Sequence, residues 1–277
     1  MSKPALTSLV IAVWNQLEYT KRCLESIERC TNAPYELIVV DNGSTDGTRE
    51  FLRTVKGRVI FNETNLGCAK AWNQGIRASR GGVVGIINND IVVTPGWLEA
   101  LLAFMGKTGH GMVCPAAREG ELDYDLDGYA KEFVARCAGA ARHGDVYAPC
   151  MLVRRDVFDR IGLFDEGFSY GGCEDIDFIW RMKQAGFSVG MTGSALIHHF
   201  GMVTQDAIKA EETKTYPKEN LPIFSRNGSE PCAAIGSTGD GRGSGCPGSD
   251  GMNGSGTAIR WWKSRAGRNV RNMRGHD

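Results

Sequence analysis

Four features are missing from this 277-residue chain, and each absence closes off a class of protein. Net charge is missing: 32 Lys and Arg balance 32 Asp and Glu, so no global field argues for nucleic acid as a partner. No apolar run approaches the ~20 residues a helix needs to span a bilayer. The nine cysteines, at 23, 30, 68, 114, 137, 150, 173, 232 and 246, form an odd set with no C-x-x-C spacing. Reduced, mostly buried thiols are therefore expected rather than disulfides or a zinc site. No charged-then-apolar leader precedes the first apolar run, so a cytoplasmic protein is expected, and the Asn-x-Ser/Thr triplets at Asn62 and Asn227 carry no glycosylation inference. Internal repeats are absent as well.

What the chain has is alternation. From Ser8 to Val113 short β-branched runs trade places with amphipathic segments, the pattern of βαβ units around a mostly parallel sheet flanked by helices. Leu17, Leu24, Ile27 and Cys30 recur at helical spacing over 17–30, and 35–40 reads as a strand. A helix from about Asp46 to Val55 and a strand at Arg58 to Phe61 follow. Gly67 to Ser79 reads as a helix whose Ala69, Ala71 and Gly75 allow close packing, and Pro95 suits the first residue of a helix reaching Met105. Residues 115–145, with Glu119, Glu121, Asp123, Asp125 and Asp127, show no clear period and read as a solvated excursion rather than a calcium loop. A strand at Ala148 to Val153 and a helix from Arg155 to Ile161 resume the regular pattern.

Composition divides the chain into a domain at 1–225, a linker at 226–257 and a tail at 258–277. Glycine supplies ten of the 31 residues from Asn227 to Thr257, with Ser, Asp and Asn, and nothing there can bury a core. The tail sets Arg260, Lys263, Arg265, Arg268, Arg271 and Arg274 beside Trp261 and Trp262. That composition suits peripheral contact with an anionic membrane surface or with nucleic acid, or an inert extension.

The stretch richest in chemistry is Asn88-Asn89-Asp90, which ends the apolar run Val83 to Ile87. Open α/β sheets bind ligands at the carboxyl ends of their strands, so a polar cluster there is where chemistry is sought. Strand alternation puts Asn88 and Asp90 on one side, a spacing that varies the DXD signature of a divalent-cation site. Two further strands finish in polar residues, Ser8 to Asn15 and Glu36 to Asp41.

Together with Asp41-Asn42-Gly43-Ser44-Thr45-Asp46, Asn65-Leu66-Gly67, Trp72-Asn73-Gln74-Gly75 and Gly172-Cys173-Glu174-Asp175-Ile176-Asp177, these strand ends closely resemble glycosyltransferase family 2 over residues 6–205. The resemblance implies a GT-A fold, a Rossmann-like nucleotide-diphospho-sugar transferase, and inverting transfer. It implies that Asp41 meets uracil N3 or a ribose hydroxyl, and that Ala12, Trp14, Asn15, Asn65 and Gly67 complete the nucleoside pocket. Asn88 and Asn89 fall to the nucleotide. Asp90 is the best metal ligand and His198 joins it by alignment of His198-His199-Phe200-Gly201, with Mn²⁺ or Mg²⁺ as cofactor. The family pattern makes Asp175 the base that deprotonates the acceptor, with Glu174 holding that acceptor. Asp177 is explained instead by the helix dipole and by Arg181 four residues on.

The expected partners are a nucleotide-sugar donor, UDP- or dTDP-linked, and a glycan or lipid-linked saccharide acceptor. Two other functions compete. A nucleotidyltransferase would want a Gly- and Arg-rich phosphate loop near the first strand, and Trp14-Asn15-Gln16 is not one. A catalytically silent nucleotide- or glycan-binding module is suggested by Asn88 standing where the signature has its first aspartate.

Overall fold

The structure is a computed structural model that describes residues 6–144, 146, 148–168 and 173–201. The proposed linker and tail, and Gly171-Gly172, lie outside the described residues. In chain order the elements are β1 (Thr7–Val13), α1 (Leu17–Cys30), β2 (Tyr35–Asp41), α2 (Thr48–Leu52), β3 (Arg58–Phe61), α3 (Cys68–Ala78), β4 (Val83–Asn88), β5 (Ile91–Val93) and α4 (Trp97–Thr108). They continue as β6 (Met112–Glu119), α5 (Leu126–Cys137), β7 (Ala141–His143), β8 (Cys150–Arg154), α6 (Arg155–Ile161), α7 (Glu174–Gln184) and β9 (Val189–His199).

The strands form one sheet in the order β3-β2-β1-β4-β8-β6-β9-β5, with β7 also paired to β9. β1 runs parallel to β2 and β4, and β2 parallel to β3. β8 is antiparallel to both β4 and β6, so β6 points the same way as β4, and β9 runs parallel to β6. The carboxyl ends of β1, β2, β4, β6 and β9 therefore share one edge. Antiparallel pairing of β5 with β9 brings the start of β5 to that edge as well.

Because strand side chains alternate, each face of the sheet is greasy and each is covered. α1, α2 and α4 seat Cys23, Leu24, Ile27, Leu52, Trp97, Leu98 and Leu101 on the face carrying Leu9, Ile11, Val39, Ile87, Val113 and Ile197. α3, α5, α6 and α7 seat Trp72, Ile76, Phe133, Phe158, Phe178 and Met182 on the face carrying Val10, Ile38, Ile86, Cys114, Ala116 and Leu196. None of the seven described cysteines forms a disulfide and five of them are buried, and among the described residues no helix is long and apolar enough to cross a membrane.

Two expectations need correction. The 115–145 segment is mostly regular: β6 runs on to Glu119, then α5 and β7 follow. Its buried stripe, Leu126, Ala130, Phe133 and Cys137, has helical spacing but is diluted by exposed acids. One of those acids, Asp125, is the helix cap, accepting from the Gly128 N–H at 3.1 Å. The fourth helix starts at Trp97, not Pro95, because Gly96 takes a left-handed φ of 77° as its cap.

Gly75 shows why α3 needs a small residue where it crosses β1, since a Cβ there would lie 2.2 Å from Val10 Cγ1. Gly75→Ala should destabilise by about 1–3 kcal/mol through overpacking, read as a lower midpoint in thermal or urea denaturation. An unchanged midpoint would mean that α3 and β1 can part without cost.

Candidate active site

The part of the edge expected to meet the nucleotide is built from amides. Asn42 follows β2 and donates through Nδ2 to Asn65 Oδ1 at 2.7 Å, while its Oδ1 accepts from the Leu66 N–H at 3.0 Å. Asn62 Nδ2 reaches Asn42 Oδ1 at 3.0 Å and Gln74 Oε1 at 2.8 Å, and Gln74 Nε2 returns to Asn62 Oδ1 at 2.9 Å. This lattice fixes the Asn65-Leu66-Gly67 turn against β2, β3 and α3. Asn65 serves the turn itself, its Oδ1 accepting from the Gly67 N–H at 3.0 Å.

At the end of β1, Asn15 and Gln16 both take left-handed backbone angles, φ 56° and 64°. Asn15 is tied to the loop after β2 by its N–H to Ser44 Oγ at 2.8 Å and by its Oδ1, which accepts from the Thr45 N–H at 2.8 Å. Non-glycine residues in that region are costly and cluster where ligands are held. Trp14 is half-exposed and belongs to neither core cluster, so core packing does not account for it. Ala12 is partly buried against the helix layer of α3.

Two nucleotide residues are placed differently from expectation. Asp41 is fully buried: its Oδ1 accepts from the Ser44 N–H at 3.2 Å and its Oδ2 lies 3.6 Å from Arg49 Nη1. It therefore orders the loop and offers no surface to a base in this conformation. Asn89 is buried as well, and its Nδ2 donates to Thr20 Oγ1 of α1 at 3.0 Å, which makes it a brace between sheet and helix. Asn88 keeps a partly exposed side chain at the strand end.

The metal corner also differs. β4 ends at Asn88 and residues 89–90 form a turn, so strand alternation does not carry through to Asp90. Asp90 is placed instead by the end of β9, where the next residue, Phe200, donates its N–H to the Asp90 carbonyl at 3.0 Å. Its Oδ1 is buried without a hydrogen bond and stands 3.4 Å from His199 Nε2. His199 Nδ1 stands 3.3 Å from Glu119 Oε1. His198, the expected partner, points to the opposite face, where its Nδ1 lies 2.9 Å from the Tyr124 hydroxyl. The correction follows from strand geometry, since adjacent residues of β9 face opposite ways.

Electrostatics separate the two imidazoles. Burial alone would lower His199, but the carboxylates of Asp90 and Glu119 beside it override that and raise its pKa to about 9. Burial lowers His198 to about 4, so that ring is neutral. Among the described residues no group of three or more His, Cys, Asp or Glu forms a ready-made metal cage. Asp90 and His199 do supply one oxygen and one nitrogen at a common point, which suits a cation completed by diphosphate oxygens.

The third part of the site is the first turn of α7. Cys173, with φ 74°, caps the helix, and Glu174, Asp175 and Asp177 crowd its start. Asp177 is fully buried and pairs with Arg181 Nε at 2.8 Å, while the Arg181 guanidinium also donates to the carbonyls of Ile161 and Leu163. That settles it as structural. Glu174 is buried, and Asp175 is partly so, its Oδ1 accepting from the Ile176 N–H at 2.9 Å. Burial pushes the Asp175 carboxyl above its ordinary range. Asn73 positions the approach to α7: it donates to the Phe164 carbonyl at 2.9 Å and accepts from the Phe164 N–H at 3.1 Å.

Cys68 is the first residue of α3. Burial above all, and then the charges of Glu174, Asp175 and Asp90, raise its thiol well above the normal range. Sequence reasoning passed over Cys68; its place directly after Asn65-Leu66-Gly67 was the available signal. Glu119 was passed over too, being grouped with the acidic string rather than with β6.

The fold is that of the GT-A glycosyltransferases. It matches the structure of GalNAc-T7 with UDP, GalNAc and Mn²⁺ at TM-score 0.59 and 14% identity, covering 83% of this chain and 55% of that one. It matches mannosyltransferase PcManGT from Pyrobaculum calidifontis, in complex with GDP-Man and Mn²⁺, at TM-score 0.56 and 17% identity, covering 81% and 69%. The profile of glycosyl transferase family 2 matches residues 8–162, and the chain belongs to that family. It is 27% identical over 195 residues to glycosyltransferase AglE of Haloferax volcanii, which spans 66% of this chain and 62% of AglE. It is 31% identical over 125 residues to putative glycosyltransferase EpsH of Bacillus subtilis, spanning 44% of this chain and 36% of EpsH. The chain thus spans less than two thirds of the length of these relatives.

The two histidines separate by experiment. With UDP present, His199→Ala should abolish most of the extra thermal stabilisation that Mn²⁺ adds, whereas His198→Ala should keep it, because a ligand selective for the native state raises apparent stability by mass action. The reverse pattern in a thermal-shift titration would return the metal corner to His198.

Proposed function

We propose that this protein is an inverting glycosyltransferase that moves a sugar from a UDP- or dTDP-linked donor to a hydroxyl of a glycan or lipid-linked saccharide. The observation that carries the reading is Asp90 Oδ1, buried without a hydrogen bond at the carboxyl edge of the sheet and 3.4 Å from His199 Nε2, in a chain of glycosyl transferase family 2. Family membership and the complexes of proteins with this fold, one with UDP, GalNAc and Mn²⁺ and one with GDP-Man and Mn²⁺, support it.

In the proposed reaction Asp175 accepts the proton of the acceptor hydroxyl as its oxygen bonds to the anomeric carbon from the side opposite the diphosphate. The bond between anomeric carbon and diphosphate oxygen breaks, and the diphosphate leaves with the electron pair. A raised carboxyl pKa suits a general base, since proton transfer is most effective when base and working pH are closer. Glu174 orients the acceptor. Trp14, Asn15 and the Asn65-Leu66-Gly67 turn hold the nucleoside, with Asp41 and Arg49 supporting the loop beneath. A divalent cation, Mn²⁺ or Mg²⁺, would offset the charge developing on the diphosphate when bound by Asp90 and His199. A silent binding module would share the fold and nucleotide pocket but not the need for Asp175.

Asp175→Asn keeps size and helix position, so donor affinity should persist while transfer falls about 10²–10⁴-fold. The wild-type rate should climb with pH through the raised Asp175 pKa, because only the ionised base accepts a proton, and this acid limb should vanish from the residual rate of the variant. Asp177→Asn should instead lower the melting temperature and spare turnover per folded molecule. Wild-type turnover in the Asp175 variant, measured with a radiolabelled donor, would remove this residue from the mechanism.

A further inference from the structure

Arg118 lies near the carboxyl end of β6 and is only 6% exposed. Its guanidinium carbon sits 3.6 Å from the centroid of the Tyr124 ring and 4.5 Å from that of Tyr129, so two aromatic faces clasp it. Among the described residues no carboxylate comes within ion-pair distance of it. Its chain neighbour Glu119 points to the other face of the sheet, toward His199. Asp123, which acts electrostatically on both Tyr124 and His198, is exposed and forms no ion pair with Arg118. Both phenols stay neutral at ordinary pH, burial pushing Tyr124 up to about 12 and Tyr129 in the same direction. A guanidinium so deeply buried normally has an anion, and contacts to aromatic faces offset only part of its lost hydration.

A second buried group faces the same way. His198 is Arg118's partner in the β6–β9 register, is fully buried, and holds the Tyr124 hydroxyl at 2.9 Å, which fixes that ring over the guanidinium. Its Nε2 finds no partner of hydrogen-bonding geometry, with the backbone of Gly120 close by. The edge of T-shaped Phe200 closes the cluster at 4.6 Å between ring centroids.

We propose that Arg118, with Tyr124 and His198, forms an anion-recognising subsite for an oxyanion carried by the acceptor. The proposal rests on the glycosyltransferase reading above. Position favours the acceptor over the donor. β6 and β9 lie beyond β8 from β1, β2 and β4, where the amide lattice and Trp14 build the nucleoside pocket. Arg118 and His198 open toward the layer of α5 and α7, which carries Asp175, whereas Asp90's partner His199 opens the other way. An acceptor whose hydroxyl meets Asp175 thus has Arg118 on its own side of the sheet.

The test uses the full chain saturated with UDP and Mn²⁺ and three small probes: methyl glucuronide for a carboxylate, methyl phosphate for a phosphate, and methyl glucoside as the neutral control. At least one anionic probe should raise the wild-type melting temperature by about 3–6 °C at ten times its dissociation constant, the glucoside should not, and the responding arm names the anion. Arg118→Met, which keeps the aliphatic stem, should lose that gain while UDP affinity stays within about twofold. Arg118→Lys, which keeps charge but not the planar fork, should retain part of it and serves if the Met variant fails to fold. A gain preserved in Arg118→Met, or no gain from either anion in wild type that binds UDP normally, overturns the subsite alone. A tenfold loss of UDP affinity in the variants assigns Arg118 to the donor diphosphate and also overturns it. Failure of wild type to bind UDP with Mn²⁺ strikes the donor reading itself, and the subsite falls with it.

Discussion

The candidate site depends on one backbone contact, the hydrogen bond from Phe200 to the carbonyl of Asp90 that seals β5 against the end of β9. It joins residues far apart in sequence and, with the β5–β9 ladder, holds the turn at Asn89–Asp90 beside the end of β9. The register it closes, Ile91 opposite His199 and Val92 opposite His198, decides which imidazole meets Asp90. A slip of one residue would exchange the two histidines and their surroundings, because every side chain of a slipped strand changes face. The metal corner and the Arg118 cluster are thus two outcomes of a single register.

Around that contact the sheet edge is held by polar groups that satisfy one another. Asn42, Asn62, Asn65 and Gln74 lock the nucleotide loops, and Asn73 clamps the segment that leads toward α7. Each such hydrogen bond contributes on the order of 1 kcal/mol net, but a buried amide left unpaired costs more than that. The lattice is therefore cooperative: a change at one amide is felt through the others. Two stretches of left-handed backbone, at Asn15–Gln16 after β1 and at Cys173 before α7, lie at this edge, and the strain they carry is offset by the surrounding structure.

Much of the fold was legible in the chain because its local signals agree. β-branched runs marked the parallel strands, Leu17, Leu24, Ile27 and Cys30 marked α1, and the small residues of α3 announced the tight crossing of β1 at Gly75. α5 was not legible, since its acids interrupt the pattern and only its cap at Asp125 explains one of them. In the candidate site, the acids of α7 and Asp90 could be named as candidates from motif alone, and the Asp177–Arg181 pair from its spacing. The choice between His198 and His199 could not, because it depends on where β9 begins to pair. Nor could the burial of Asp41 and Asn89, whose partners Arg49 and Thr20 reach them only through tertiary packing. Cys68 and Arg118 carry no motif of their own; their meaning lies in what the fold sets beside them.

The central claim is that β9 delivers His199 to Asp90 and so builds the diphosphate corner beside the α7 acids. Anomalous diffraction at the manganese edge, from crystals grown with UDP and Mn²⁺, tests it most directly. The account predicts one strong peak in contact with Asp90 and His199 and with oxygens of the diphosphate. A peak held by His198, or diphosphate bound away from Asp90, would contradict it.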